Sequence, residues 1–422
     1  MTSQRQSRFF YGWWVVLAVA VGLFMGYVPI IGFTFSIFFV PIAEEMKWSR
    51  AEISLAFSIS LLALSVCLPV AGRLVDRAGP RRVILTSVVM FSLGLMSFYF
   101  LSPNLWHYYL IYVVIGMVGS GVSPVPYYNV ISHWFDRKRG LALGLSMIGV
   151  GLSELLTPSF TQALIGTIGW RTAYLVLGII VAAVTFPVVA LFLKEKPQQL
   201  GLLPDGAREV SKHAVRETGP PQGMTANQAW RTGVFWLMSV GLFLVSMSLT
   251  GCLVHLVPML KDRGMSAANA ALAISILGGA NLMGRVLTGY LLDRVFAASV
   301  AFFFFCGAAV GIFMLLMGAT GGLAFVGALL VGLGMGAEGD IMAYIVGRYF
   351  GLLAFGEIYG YVLAIYTLGA MLGPLVMGLS FDLNGDYIIA LTGFVAVTLL
   401  GAALMTQLGP YRTWSTAEAG AD

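Results

Sequence analysis

The sequence Gly72-Arg-Leu-Val-Asp76-Arg77-Ala-Gly79-Pro-Arg81-Arg82 joins two long apolar stretches. A shorter copy, Gly289-Tyr-Leu-Leu-Asp293-Arg294, stands at the matching place in the second half of the chain. The glycines permit tight turns, and an Asp beside several Arg residues is suited to charge pairs and to contacts with helix ends. We therefore predict two related halves and a gating loop, whose charged members are Asp76, Arg77, Arg81, Asp293 and Arg294. The alternative is a basic loop whose only role is topology.

The apolar stretches around these loops place the chain in a membrane. Fifty-nine per cent of its 422 residues are hydrophobic and 10% are charged, whereas a soluble domain has about 25% charged residues. The apolar runs are about twenty residues long and scarcely alternate, so they fit helices that cross ~30 Å of hydrocarbon rather than barrel strands. The predicted fold class is an all-α membrane protein, and a soluble enzyme is excluded.

Twelve apolar windows are predicted to span the membrane, six in each half. Those of the first half are 12–40, 53–71, 83–101, 106–131, 141–164 and 172–193. Those of the second half are 234–258, 267–291, 298–318, 322–346, 359–380 and 387–408. The predicted domains are an N-terminal bundle (1–193), a cytoplasmic linker (194–233), a C-terminal bundle (234–408) and a cytoplasmic tail (409–422). The first span is longer than the apolar core of a signal peptide, so we expect it to be retained.

Lysine and arginine are distributed unevenly between the two sides of these spans. With the N-terminus inside, 18 of the 24 lie in cytoplasmic segments and five on the opposite side, which is the usual bias of membrane loops. We predict a multi-pass plasma membrane protein, of the bacterial inner-membrane kind, with both termini cytoplasmic. The same bias explains the net charge of +5, so nucleic acid is not a predicted partner.

The sequence indicates neither a metal site nor a cofactor. Cys67, Cys252 and Cys306 are far apart and lie inside apolar segments, which argues against disulfides and metal binding. Phosphate-binding glycine loops and motifs of catalytic nucleophiles are missing. The expected partners are the lipid bilayer and a small solute, and we expect the protein to function as a monomer.

Two segments carry a resemblance to a known family. Residues 72–82 resemble the signature loop of the major facilitator superfamily, and the predicted layout of six plus six spans fits that family along the whole chain. The segment Trp134-Phe135-Asp-Arg137-Lys138-Arg139-Gly-Leu-Ala142-Leu-Gly144-Leu-Ser-Met-Ile-Gly149-Val-Gly151 is similar to the motif of monocarboxylate transporters and oxalate–formate exchangers. Residues 10–14 and 348–360 are similar to bacterial members. The resemblance implies transport by alternating access around a site near the bilayer midplane.

Arg285 is the principal candidate for binding the solute. A central Arg costs about 2.5–3.5 kcal/mol on insertion scales, and its planar donor fork matches a carboxylate. The resemblance agrees, since the Arg of the eighth span binds substrate carboxylate in both kinds of relative. Asn281 lies one turn earlier on the same helix face. The alternative for Arg285 is a permanent pair with Glu338 or Asp340.

Candidates for proton coupling are less sharply defined. Animal monocarboxylate transporters commonly have an Asp where this chain has Asn281, and a functional Lys where it has Phe33, so their proton route does not transfer. The remaining carboxylates inside predicted spans are Glu154, Glu338 and Asp340. Burial and a nearby Arg shift the pKa of such a carboxyl group in opposite directions.

Several polar side chains are further candidates for contacts with substrate. The prolines of the fourth span free backbone carbonyls beside Tyr127 and Asn129, with interfacial anchoring of the tyrosine as the alternative. His255 is a candidate whose alternative is simple contact with water at a span end. Tyr27 and Tyr366 complete the predicted substrate-binding set of Arg285, Asn281, His255, Tyr127, Asn129, Tyr27 and Tyr366.

The eleventh predicted span has no basic residue, which bears on the charge of the substrate. Oxalate exchangers have a Lys there after a Tyr-Thr pair, whereas this chain reads Tyr366-Thr367-Leu368-Gly369 without a Lys or Arg in the span. A dianion would keep one unpaired charge in low dielectric. We therefore expect proton-coupled symport of a small monocarboxylate such as lactate or pyruvate. The alternatives are organic-anion exchange of the oxalate–formate type and, less favoured, drug efflux or a sensor.

Overall fold

The computed structural model describes residues 10–48, 50–206 and 222–411. Within these ranges eleven helices are long and apolar enough to cross a membrane, which confirms the predicted all-α membrane fold. The N-terminal tail up to residue 9, residues 207–221 of the predicted linker and the tail from residue 412 lie outside the described residues.

The described part of the first half of the chain contains seven α-helices. They are α1 (Gly12–Phe24), α2 (Phe35–Met46), α3 (Arg50–Ala78), α4 (Pro80–Ser97), α5 (Leu105–Gly119), α6 (Pro124–Trp134) and α7 (Arg139–Phe192). The second half begins with a short helix, α8 (Ala226–Trp230), whose Thr225 and Gln228 form a capping box. The remaining helices are α9 (Gly233–Asp262), α10 (Ala267–Leu292), α11 (Ala297–Leu316), α12 (Gly321–Phe350), α13 (Phe355–Asn384) and α14 (Ile388–Thr406).

Two predicted spans are interrupted where proline or glycine occurs. The window 12–40 divides into α1, a π-helical turn at Val28–Gly32 that contains Pro29, and α2. The window 106–131 divides at Ser123, which is extended and caps α6 ahead of Pro124. Proline lacks the N–H that would continue the helical ladder, so the backbone changes conformation at these points.

The fifth and sixth predicted spans form one 54-residue helical element, α7. Its backbone is broken at Gly169, where φ is 76° and ψ is 161°. This left-handed conformation is costly for a residue with a Cβ but not for glycine. Each part on either side of Gly169 exceeds the ~20 residues needed to cross the hydrocarbon.

The internal contacts divide the chain into two units. One consists of Met1–Ser60, Leu74–Gln222 and Ser415–Asp422, and the other of Leu61–Arg73 and Gly223–Trp414. The middle of α3 therefore groups with the second unit. The predicted domain bounds stay a prediction.

Glycines bring pairs of helices of the second unit into backbone contact. A methyl group on Gly336 of α12 would lie 2.9 Å from the backbone nitrogen of Arg285 in α10, and one on Gly332 would lie 2.9 Å from the Ala280 Cβ. Helices α9 and α13 meet similarly, since a methyl on Gly373 would lie 2.8 Å from the nitrogen of Gly251. We call these contacts the α10–α12 seam and the α9–α13 seam. They are the close packing that small residues permit between membrane helices.

A methyl group at the α10–α12 seam should destabilise the protein. Gly336→Ala would press Cβ against the backbone of α10, and overpacking of this kind costs typically about 1–3 kcal/mol. We expect a lower Tm for the purified protein in detergent, measured by intrinsic tryptophan fluorescence.

The matched control is Gly307→Ala in α11, where no atom lies within 4 Å of the added methyl. It should leave Tm unchanged or raise it slightly, because alanine favours the helix. Equal Tm values for the two variants would contradict the tight packing of the seam.

Candidate functional site

Arg285 lies in the apolar helix α10, two turns before its C-terminal end, and is half-buried. Among the described residues, no carboxylate oxygen lies within 4.0 Å of its guanidinium. The permanent ion pair with Glu338 or Asp340, which was the alternative from sequence, is therefore not formed in this structure. Asn281 lies one turn earlier, is 9% exposed, and its Oδ1 has no hydrogen-bond partner in the described part of the chain.

Glu338 of α12 faces this region from the other side of the α10–α12 seam. Its side chain is 1% exposed. The hydroxyl of Tyr366 in α13 donates a hydrogen bond of 2.8 Å to its Oε2, while Oε1 has no hydrogen-bond partner within the described ranges. The charge of Arg285 acts electrostatically on Glu338 and on the Tyr366 phenol. The second unit thus contains a polar cluster that consists of a cation, an amide, a carboxylate and a phenol: Arg285, Asn281, Glu338 and Tyr366.

Asp340 belongs to a neighbouring part of the same region. It is fully buried, and it interacts electrostatically with the phenol of Tyr359, two turns before Tyr366 on α13. Both acidic residues of α12 are therefore buried in the second unit, each near a different tyrosine.

His255 is half-buried in α9, well along that helix toward its C-terminal end. Its Nε2 donates to the carbonyl of Pro374 over 3.1 Å, and its ring lies 5.5 Å from that of Tyr387. The described contacts of His255 are with α13 and the segment after it rather than with Arg285.

The predicted substrate-binding residues of the first unit make contacts of their own. Tyr27 is buried and donates a 2.9 Å hydrogen bond to Ser60 Oγ. The Tyr127 hydroxyl is buried without a hydrogen-bond partner among the described residues. Asn129 Nδ2 donates to Asp76 Oδ1 over 3.2 Å. Glu154 is half-buried in α7 and has an interaction partner.

The segment predicted as a gating loop is largely helical, since Asp76 and Arg77 belong to α3, Arg81 belongs to α4 and only Gly79 lies between the two helices. In the first unit this segment contacts the end of α7 and the residues that follow it. The backbone N–H of Arg81 donates to Glu195 over 3.2 Å, and its guanidinium donates to the carbonyl of Ala190. Asp76 accepts from Asn129, as described above, and Arg77 lies in the last turn of α3, where a cation is favourable. Sequence reasoning missed Glu195, although an acidic residue just past an apolar span is a recognisable signal.

A second missed contact lies in the second unit. Arg73, inside the quoted loop sequence, forms a 2.5 Å salt bridge with Glu357 in the first turn of α13. Close by, Gly72 lies against the backbone of Gly356. In the shorter copy of the loop sequence, residues 289–294, Asp293 directly follows the end of α10. The guanidinium of Arg294 lies 3.6 Å from the centre of the Tyr290 ring. An acidic residue at a predicted helix start could have suggested the Arg73 partner.

A third missed contact involves the predicted linker. Asp205 accepts hydrogen bonds from the backbone nitrogens of Asp136, Arg137 and Lys138, at 3.0, 2.7 and 3.3 Å. Successive N–H groups before a helix make a favourable site for an anion. The first part of the linker is thus attached to the start of α7.

Comparison with known proteins identifies the family of this chain. The sequence pattern of the Major Facilitator Superfamily matches residues 16–374, and the chain belongs to this superfamily; it is a membrane transporter, not an enzyme. It is 28% identical to human Monocarboxylate transporter 11 over 89% of this chain and 79% of that protein. It is 27% identical to bovine Monocarboxylate transporter 13, over 94% and 89% of the two chains. In fold it is similar to the proton:xylose symporter XylE, with a TM-score of 0.74, 16% identity and coverage of 95% and 96%.

The Arg73–Glu357 salt bridge should be detectable by charge exchange. Arg73→Glu places two carboxylates together and Glu357→Arg two guanidinium groups, so each single variant should have a slightly lower Tm. The double exchange should recover most of the loss, because the two effects are coupled. The shift is expected to be small since Arg73 is largely exposed. Purely additive Tm shifts would contradict a direct pair.

Proposed function

We propose that this protein carries a small monocarboxylate, such as lactate or pyruvate, together with a proton by alternating access. The observation that supports it is Arg285, a half-buried cation inside the apolar helix α10 without a carboxylate partner within 4.0 Å among the described residues. A planar guanidinium binds a carboxylate through two parallel hydrogen bonds. The names of the curated relatives, monocarboxylate transporters, point to the same class of substrate.

The Asn281 amide beside Arg285 matches the hydroxyl group of a small hydroxy acid such as lactate. Asn281 Oδ1 is a buried acceptor without a hydrogen-bond partner in the described ranges, so a substrate hydroxyl would satisfy it. Unsatisfied buried polar groups discriminate strongly between ligands that do and do not pair with them. The predicted contributions of His255, Tyr27, Tyr127 and Asn129 remain part of this proposal.

The charge of the region favours one carboxylate over two. Helix α13 has no Lys or Arg, so a dianion at Arg285 would retain an unbalanced charge. Burying such a charge is costly in a low-dielectric site. We therefore propose a monocarboxylate rather than oxalate as the substrate.

The cellular setting is proposed on the distribution of charged residues. The excess of Lys and Arg on one side favours a bacterial inner membrane location with both termini cytoplasmic. We propose a monomer built of the two six-helix bundles predicted from sequence, with a gating loop that opens and re-forms its charge pairs during the cycle.

The proposal is tested by uptake of labelled L-lactate into proteoliposomes, with and without an inward proton gradient. Wild type should show gradient-stimulated uptake, and Arg285→Ala should lower it at least about tenfold. The reason is that a hydrogen bond to a charged group contributes about 1.5–3 kcal/mol, and 1.4 kcal/mol is a factor of ten. Arg285→Lys should be intermediate, because it keeps the charge and loses the fork.

Tyr361→Phe is a suitable control, since this ring lies against Trp230, 5.0 Å between centroids, and should leave uptake unchanged. Unaltered uptake by Arg285→Lys would rule out the fork as the binding element. Uptake that ignores the pH gradient and requires an internal anion would replace symport by anion exchange.

A further inference from the structure

We infer that Glu338 is the residue that takes up the transported proton, and that Tyr366 holds its carboxyl group in place. This inference rests on the proposed function. It selects one acid among Glu154, Glu338 and Asp340 and gives the tyrosine a positioning role.

The first argument is the state of the two oxygens of Glu338. One accepts the hydrogen bond of Tyr366 at 2.8 Å, and the other is buried without a hydrogen-bond partner among the described residues. A buried carboxylate with a bare oxygen is costly, and the addition of a proton to that oxygen removes the charge. Because Oε2 already accepts the hydrogen bond from Tyr366, Oε1 is the oxygen that receives the proton.

The second argument is the relation of Glu338 to Arg285. The two are connected by the α10–α12 seam, in which a methyl on Gly336 would lie 2.9 Å from the Arg285 nitrogen. They interact electrostatically, yet no salt bridge within 4.0 Å joins them. Glu338 thus balances the charge of Arg285 without occupying its donors, which leaves the guanidinium fork available to a substrate carboxylate.

Charge balance then links the anion to the proton. Without substrate, the Arg285 cation and the Glu338 carboxylate sum to zero. When a substrate carboxylate binds Arg285, Arg285, Glu338 and the substrate together have one excess negative charge in low dielectric, which is unfavourable. Glu338 restores neutrality by accepting a proton from hydronium at the open side, with formation of water. Release of the anion reverses the step, so one proton accompanies one monocarboxylate.

The surroundings of Glu338 contain few other ionisable groups. Arg285 faces it from α10 and Tyr366 from α13, while Asp340 lies two residues further along α12 and interacts with Tyr359. Helix α9 contributes a neutral hydroxyl, Ser246, beside Tyr366, and its His255 bonds to Pro374. Helix α11 contains no Asp, Glu, His, Lys or Arg.

The experiment compares two modes of lactate movement in proteoliposomes that contain Glu338→Gln. Counterflow at equal pH on both sides requires anion binding and reorientation but no net proton movement. Gradient-driven accumulation requires the proton. Glutamine imitates protonated Glu338, so the variant should retain counterflow and lose the stimulation by an inward proton gradient. If Glu338→Gln accumulates lactate in response to the gradient like wild type, the inference is wrong while the proposed function stands.

Tyr366→Phe provides a second test that preserves the carboxyl group. Without the phenol, the charged form of Glu338 is less well stabilised, so half-maximal uptake should move to higher pH while counterflow at the optimum is retained. The control is Tyr361→Phe on the same helix, for which no shift is expected. If Tyr366→Phe weakens both modes by the same factor and half-maximal uptake stays at the wild-type pH, the role of Tyr366 is structural only and the positioning role is overturned. Absence of lactate movement by folded wild type would overturn the proposed function, and this inference with it.

Discussion

The close approach of α10 and α12 is the contact on which the polar region of the second unit depends. Glycines at positions 332 and 336 allow the two backbones to meet where any side chain would intervene. This distance brings the cation of one helix into the field of the carboxylate of the other without forcing them into a salt bridge. In a bilayer, where lipid tails compete equally for apolar surfaces, such close packing is a main source of helix association.

Much of this arrangement could be predicted from the sequence. Long apolar windows locate the helices because every backbone group in hydrocarbon must be satisfied within its own segment. The insertion cost of Arg285 in an apolar window marked it as a candidate for binding the solute. The predicted window 106–131 lies within one candidate span, Leu105–Trp134, whereas the window 12–40 extends beyond the candidate span Gly12–Gly32. The irregular turns at Val28–Gly32 and Ser123 are backbone features that hydropathy does not record.

Side-chain partners could not be predicted in the same way. The pairs Tyr366–Glu338, Asn129–Asp76 and Arg73–Glu357 join residues that are 28, 53 and 284 positions apart. Their formation depends on helix rotation and on the depth of each residue, neither of which is specified by the local pattern. The division of α3 between the two units has the same origin, because Gly72 has its close contact with Gly356, far along the chain.

The two glycine seams also determine which movements the second unit can make. The backbones of α10 and α12 are in close contact, and so are those of α9 and α13. Because no side chains lie between the backbones to adjust to a shift, we expect each pair of helices to move as a unit. Arg285 and Glu338 belong to one pair and Tyr366 belongs to the other. The Tyr366–Glu338 hydrogen bond therefore connects the two pairs, so a change of charge at Glu338 would alter the contact between them.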